Sequence, residues 1–265
     1  MALIHCDFFS DVLGLSTSMT VILPQTTAAQ IGMQGAAGTA APPVLYLLHG
    51  LSDDDTIWTR RTSIERYVAP LGLAVVMPQV HKSFYTDEAS GLPFGTFLSQ
   101  ELPSIVQQFF RVSSRPEETF VAGLSMGGYG AMKWALREPW RFAAAASLSG
   151  ALMISNAAHA DDPTFAALMT RVFGETPIPG TVHDLTHLIE LSEPSTVPPL
   201  YVSCGTEDFL FGANVHVAQI ARDHGLDLTT DFGPGDHDWE YWDDQIRKVL
   251  GWLPMPGHAS APARG

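Results

Sequence analysis

The residues Gly123-Leu124-Ser125-Met126-Gly127 form a G-x-S-x-G pattern. They follow the apolar run Thr119-Phe120-Val121-Ala122 and precede a helical pattern carrying Ala131, Met132, Trp134 and Leu136. That is the strand–turn–helix context of a nucleophile elbow, which the same five residues in an ordinary surface turn would lack. The glycines matter because the turn is tight: a side chain at either position would meet neighbouring backbone while the serine holds strained dihedrals. Such a turn lifts the hydroxyl above the sheet and sets it at a helix N-terminus, whose dipole favours developing negative charge. The chemistry this suits is nucleophilic attack on an acyl carbon.

A serine hydroxyl needs a base to take its proton, and in this architecture the acid and base follow it in the order Ser, Asp or Glu, His. Downstream, Leu200-Tyr201-Val202-Ser203 runs into Cys204-Gly205-Thr206-Glu207-Asp208-Phe209. Asp208 is expected to be the orienting acid, with Glu207 its one-residue rival. The next strand pattern leads into Gly233-Pro234-Gly235-Asp236-His237-Asp238-Trp239, and of the ten histidines His237 alone lies in a loop after the last strand. His216 and His224 fall on a helix and His258 in the tail. His183 and His187 are spaced i, i+4 without the Glu of a zincin motif, so no metal site is expected. An oxyanion hole needs backbone N–H groups aimed at the carbonyl oxygen. Met126 should supply one, and Leu51, after the apolar strand Val44–Leu48 and His49-Gly50, the other. His49 is expected to hydrogen-bond beneath that loop, and Ser52-Asp53-Asp54-Asp55 to serve helix capping and solvation rather than a cation. Aromatic candidates for substrate contact, each beside a motif loop, are Trp58, Phe84, Tyr85, Phe209 and Trp239. Core packing is the competing reading for every one of them.

The elements that must position these residues alternate between short apolar runs and helical patterns, the rhythm of a mostly parallel sheet with helices on both faces. Strands are predicted at Ile4–Phe9, Met19–Leu23, Val44–Leu48, Ala74–Met77, Thr119–Ala122, Ala144–Leu148, Leu200–Ser203 and Asp227–Phe232. The first two, turning at Gly14 and Ser16, could pair as an antiparallel hairpin at one edge. Helices are predicted near Thr62–Pro70, Phe94–Phe110, Gly127–Arg137, Asn214–His224 and Trp239–Trp252. Ala28–Pro43, rich in Gly, Ala, Thr and Pro, reads as a mobile surface loop. Ala151–Pro198 is longer than an ordinary crossover, carries a helical pattern at Phe165–Phe173, and reads as a small cap over the site. The reading is thus one α/β-hydrolase domain over 1–253, with 151–198 a cap-like insertion and 254–265 a disordered tail.

With 46% hydrophobic and 16% charged residues, the 265-residue chain can bury a large core and is not of the disordered class. A formal net charge of −14 argues against nucleic acid and anionic membrane surfaces as partners. No run approaches a membrane helix, and the opening MALIHCDFFSDVLG has no basic leader. Cys6 and Cys204 are read as buried thiols, so a cytoplasmic setting is expected. Homo-oligomerisation is left open.

The runs LYLLHGLSDDDTIW (45–58), SFYTD (83–87), ELPSIVQQFF (101–110), TFVAGLSMGGYGAMKWAL (119–136), SLSGAL (147–152) and CGTEDFL (204–210) resemble the esterase D-type putative esterases, nearest to bacterial tributyrin esterases. The resemblance spans about residues 3–253. It implies a cofactor-free carboxylesterase with a short-acyl preference, in which Ser125, Asp208 and His237 are catalytic. Related families include S-formylglutathione hydrolases, feruloyl and acetyl-xylan esterases and mycolyltransferases. The segment 28–43 and the tail after 253 depart from the family's usual lengths. A thioesterase acting on S-formylglutathione would favour a basic rim, against which the net charge weighs. Acyl transfer to an acceptor other than water would need a second groove. A binding protein without activity would be expected to show a broken triad.

Overall fold

The computed structural model describes residues 1–32, 34–154 and 162–255. Its strands are β1 (Ala2–Ser10), β2 (Leu15–Leu23), β3 (Val44–Leu48), β4 (Ala74–Pro78), β5 (Thr119–Leu124), β6 (Ala144–Leu148), β7 (Leu200–Gly205) and β8 (Leu228–Gly233). They form one eight-stranded sheet in the order β1-β2-β4-β3-β5-β6-β7-β8. The β1–β2 hairpin turns at Gly14, whose φ of 67° suits glycine, and both β1–β2 and β2–β4 are antiparallel. All other neighbours are parallel. Each predicted strand is present, with β5 and β7 running two residues further toward the site.

The five central strands, β3 to β7, are buried along their whole length, because helices cover both faces. Alternation splits their side chains between two cores: Val44, Tyr46 and Leu48 of β3 enter one and Leu45 and Leu47 the other. The helices are α1 (Ile57–Arg61), α2 (Ile64–Val68), α3 (Phe94–Thr96), α4 (Leu102–Phe109), α5 (Met126–Arg137), α6 (Pro163–Phe173), α7 (Leu185–Leu191), α8 (Phe211–Asp223) and α9 (Trp239–Trp252). Residues of α4 to α8 pack on the first face, and those of α1, α2 and α9 on the second.

Several expectations are corrected. The helix expected over Phe94–Phe110 is interrupted by a π-turn at Phe97–Glu101. Pro103, near the start of α4, has no N–H for the helical ladder, and Glu101 turns to the hairpin to accept from the Asp11 amide at 2.8 Å. Cys204 is buried, but Cys6 on the edge strand is only half-buried; both are free thiols. Met255, expected in a disordered tail over 254–265, packs into the second core; residues 256–265 of that expectation lie outside the described residues. The 28–43 loop is pinned where the Ala36 amide donates to the Ala69 carbonyl at 2.9 Å.

The segment from Ala151 to Pro198 contains α6 and also α7, which was not expected. Asp162 and Asp184 cap the two helices by accepting from the amides of Thr164 and Thr186. Met169, Val172, Phe173, Leu185 and Ile189 join these helices to the first core. Residues 155–161 of this segment lie outside the described residues. No helix among the described residues is long and apolar enough to cross a membrane.

Candidate active site

Ser125 sits between β5 and α5 with φ 52° and ψ −116°, a region that non-glycine residues enter only when the surroundings dictate it. The neighbouring glycines are what permit it. A Cβ on Gly123 would lie 2.4 Å from the Gly127 carbonyl oxygen, and one on Gly127 would lie 2.5 Å from that of Leu48. In both cases the obstacle is backbone, which cannot swing aside. The serine amide donates to the Leu148 carbonyl at 2.9 Å, and its own carbonyl accepts from Tyr129 and Ala151, so the turn is tied to α5 and to β6.

His237 Nε2 lies 3.1 Å from Ser125 Oγ, and His237 Nδ1 lies 2.8 Å from Asp208 Oδ2. The fold brings the hydroxyl, imidazole and carboxylate into one line from the ends of β5, β8 and β7. Asp208 is buried. Burial alone would raise its carboxyl, but the hydrogen bonds from His237 and the Leu210 amide outweigh it and hold the group below the ordinary carboxylate value. The Trp242 ring meets the imidazole edge-on at 4.9 Å, and Phe209 leans on it at 4.7 Å.

Glu207, the rival carboxylate, is turned elsewhere. Its Oε2 accepts from the Gly235 amide at 2.7 Å, and its own amide donates to the Gly235 carbonyl at 3.1 Å. It therefore clamps the β7 loop to the loop that carries His237. Gly205 permits this approach, since a Cβ there would lie 2.0 Å from the Gly235 carbonyl oxygen.

Leu51, Met126 and Ser125 share the wall of a cavity of about 480 Å³. Among the described residues no loop or cap bond uses the Leu51 or Met126 amide, and the first amides of a helix have no partner within it. The cavity wall is apolar: besides Leu51 and Met126 it includes Phe84, Ala151, Met153, Ile154, Phe165 and Phe209. Phe209 is 77% exposed at its rim.

Three aromatic candidates for substrate contact do not line this cavity. Trp58 is buried in the second core, where its indole N–H donates to the Leu48 carbonyl at 3.1 Å and Trp239 meets it edge-on. Trp239 spends its ring between Trp58 and Trp242. Tyr85 is buried, with its hydroxyl donating to the His49 carbonyl at 2.9 Å. In their place the structure supplies Ala151, Met153, Ile154, Phe165, Leu210 and Ala213. Of these, Phe165 lies in the helical pattern of the long insertion, and Ala151 and Leu210 fall within the family-like runs 147–152 and 204–210, though neither signal marks them as pocket residues.

His49 lies beneath the loop as expected. Its Nδ1 is 2.7 Å from the Gly50 carbonyl oxygen, and its Nε2 accepts from the Val80 amide at 3.2 Å. Asp54 accepts from Thr56 and Arg60, while Asp55 is buried and accepts from Ser18 and Thr20 of β2. Among the described residues no group of three His, Cys, Asp or Glu is arranged to hold a metal. His183, on the long insertion, faces Thr86 and Phe173.

Burial pushes the His49 imidazole down to about 4. The unfolded chain takes up this proton near pH 6.5, so folding stability falls as pH drops from there toward 4. The His49 share of that loss is on the order of 3 kcal/mol. Urea unfolding of the parent and of His49→Asn across this range should show a shallower pH slope in the variant; equal slopes would count against this origin.

A model of the family described as Putative esterase matches residues 10–253. The chain is 29% identical over 262 residues to the acetyl esterase of Caldicellulosiruptor saccharolyticus, spanning 96% of this chain and 98% of that one. The substrate-bound fluorophosphonate-binding serine hydrolase F of Staphylococcus aureus is 33% identical, with a TM-score of 0.85 over 95% of this chain and 98% of that one. The S-formylglutathione hydrolase of Staphylococcus aureus is also 33% identical, with a TM-score of 0.80 over the same shares.

Proposed function

Because the chain belongs to the putative esterase family and is a serine-type esterase, we propose that it hydrolyses short-chain acyl esters through an acyl-enzyme on Ser125. The observation that carries the reading is the hydrogen-bonded line Asp208–His237–Ser125, with contacts of 2.8 and 3.1 Å. His237 takes the hydroxyl proton as Ser125 Oγ attacks the ester carbonyl. The amides of Leu51 and Met126 stabilise the oxyanion. Asp208 keeps the imidazole in one tautomer while it protonates the departing alcohol and then activates water to release the acid. None of these steps calls for a cofactor or a metal. The segment 151–198 acts in this reading as a cap contributing Ala151, Met153, Ile154 and Phe165 to the pocket wall.

An apolar cavity of about 480 Å³ has the size of a small-molecule pocket and room for both halves of a small ester. Steady-state assays on p-nitrophenyl esters from acetate to palmitate should peak among the short acids. A maximum at the long chains would overturn the short-acyl assignment.

A second reading is thioester hydrolysis of S-formylglutathione, favoured by the likeness to the Staphylococcus aureus enzyme. Against it, no Lys or Arg among the described residues lines the cavity to meet an anionic peptide. Adding S-formylglutathione and acetylated and feruloylated sugars to the panel separates the readings. Higher kcat/KM on the glutathione thioester would favour the second.

A further inference from the structure

Resting on the esterase reading, we propose that the turn at residues 81–86 positions the oxyanion loop, with Tyr85 and Lys133 as positioning residues. The turn is strained: His81, Phe84 and Tyr85 have φ of 51°, 51° and 53°. Such conformations persist in non-glycine residues only where the surroundings over-determine them, and they gather at functional sites.

Two buried side chains hold this one. Lys133 of α5 donates from Nζ to the Phe84 carbonyl at 3.2 Å, and its ammonium lies 4.8 Å from the Tyr129 ring centre. No carboxylate among the described residues is in ion-pair contact with it, and burial holds its pKa well below the usual lysine range. A lysine kept in so costly a place is poor value as general packing, which an apolar residue would supply more cheaply. Its one conventional hydrogen bond among the described residues fixes the carbonyl of a strained residue whose ring lines the substrate cavity.

Tyr85 makes the second link. Its ring lies against α5 at Gly130, where a Cβ would come within 2.5 Å of it. Its hydroxyl donates to the His49 carbonyl at 2.9 Å. From below, the His49 ring receives the Val80 amide and bonds to the Gly50 carbonyl. The backbone of His49 and Gly50 is thus held by Tyr85 on one side and by the segment leading into the same turn on the other. The next amide along the chain is that of Leu51. An oxyanion donor is worth most when its position is fixed before charge develops, and a small misplacement is costly.

The test compares Tyr85→Phe and Lys133→Met with the parent on p-nitrophenyl acetate, together with inhibition by n-butylboronic acid, whose tetrahedral serine adduct places an oxygen where the oxyanion forms. Tyr85→Phe should lower kcat roughly 10-fold to 100-fold with KM moved by no more than about twofold. Its boronate Ki should weaken by a similar factor. Lys133→Met should show the same pattern to a smaller extent. A merely structural role would lower the melting temperature and the active fraction without moving the boronate Ki. Unchanged kcat in both variants, or lost kcat with an unchanged Ki, overturns the inference. Ser125→Ala is assayed alongside: if it is inactive while Tyr85→Phe and Lys133→Met behave as the parent, the inference fails and the esterase reading stands. Activity in Ser125→Ala would instead defeat the reading of the nucleophile.

Discussion

Replacement of Ser125 by alanine should lower kcat by on the order of 10⁴-fold or more while leaving the melting temperature close to that of the parent. The hydroxyl is the atom that would carry the acyl group, so no neighbour can take over its part. The local conformation is held by main-chain bonds from Leu148, Tyr129 and Ala151, none of which uses the side chain. Alanine at a positive φ is no worse placed than serine. KM should change little, because the remaining cavity wall is intact. Pre-steady-state kinetics with excess p-nitrophenyl acetate make the check sharp: the parent should release a burst of nitrophenolate, and Ser125→Ala none. A variant that kept most of the parent's activity would remove the nucleophile assignment.

Asp208→Asn should cost on the order of 10³-fold to 10⁴-fold in kcat. The carboxylate accepts from the Leu210 amide through Oδ1 and meets His237 Nδ1 through Oδ2, at 2.8 Å in each case. An amide in its place can still accept from Leu210, but it then turns its NH₂ toward the imidazole. That favours the tautomer with the proton on Nε2, which cannot receive the serine proton. Glu207→Gln is the natural control. Its carboxylate bonds to the Gly235 amide and Thr206 hydroxyl rather than to the imidazole, so the loss should be far smaller and should appear partly as loosened stability. The two variants together, measured for kcat and melting temperature, decide which acid orients the base. Equal kcat losses would mean the clamp matters as much as the carboxylate.

Much of this arrangement can be read in the chain because its strongest constraints are local. β3 to β7 are mostly apolar runs, with Thr119, Ser147 and Ser203 as buried exceptions, since burial on two faces leaves no room for polar alternation. Ser125 and Asp208 are recognisable because each follows such a run in a short Gly-containing loop, and His237 because it lies in a Gly/Pro loop after the last strand. The pocket is different. Trp58 and Phe84 both lie near motif loops, yet one faces the second core and the other the cavity. The choice depends on which side of the sheet each loop crosses, and periodicity does not record that. Met153 and Ile154 reach the cavity through a path that only tertiary packing defines. Helix α7 was missed although Asp184 caps it and Leu185, Leu188 and Ile189 repeat at helical spacing; its seven residues lie among turn-forming prolines that mask the signal.

The parts of the reactive line are separated by 29 residues between carboxylate and imidazole and by 112 between imidazole and hydroxyl. The imidazole also hangs from the outermost strand, which is bordered by β7 alone and half open to solvent. The three groups therefore meet only where the strands from β5 to β8 are all paired. Loss of the β7–β8 pairing would part the imidazole from both the carboxylate and the hydroxyl. The Glu207 clamp ties the loops after β7 and β8 to each other at that edge.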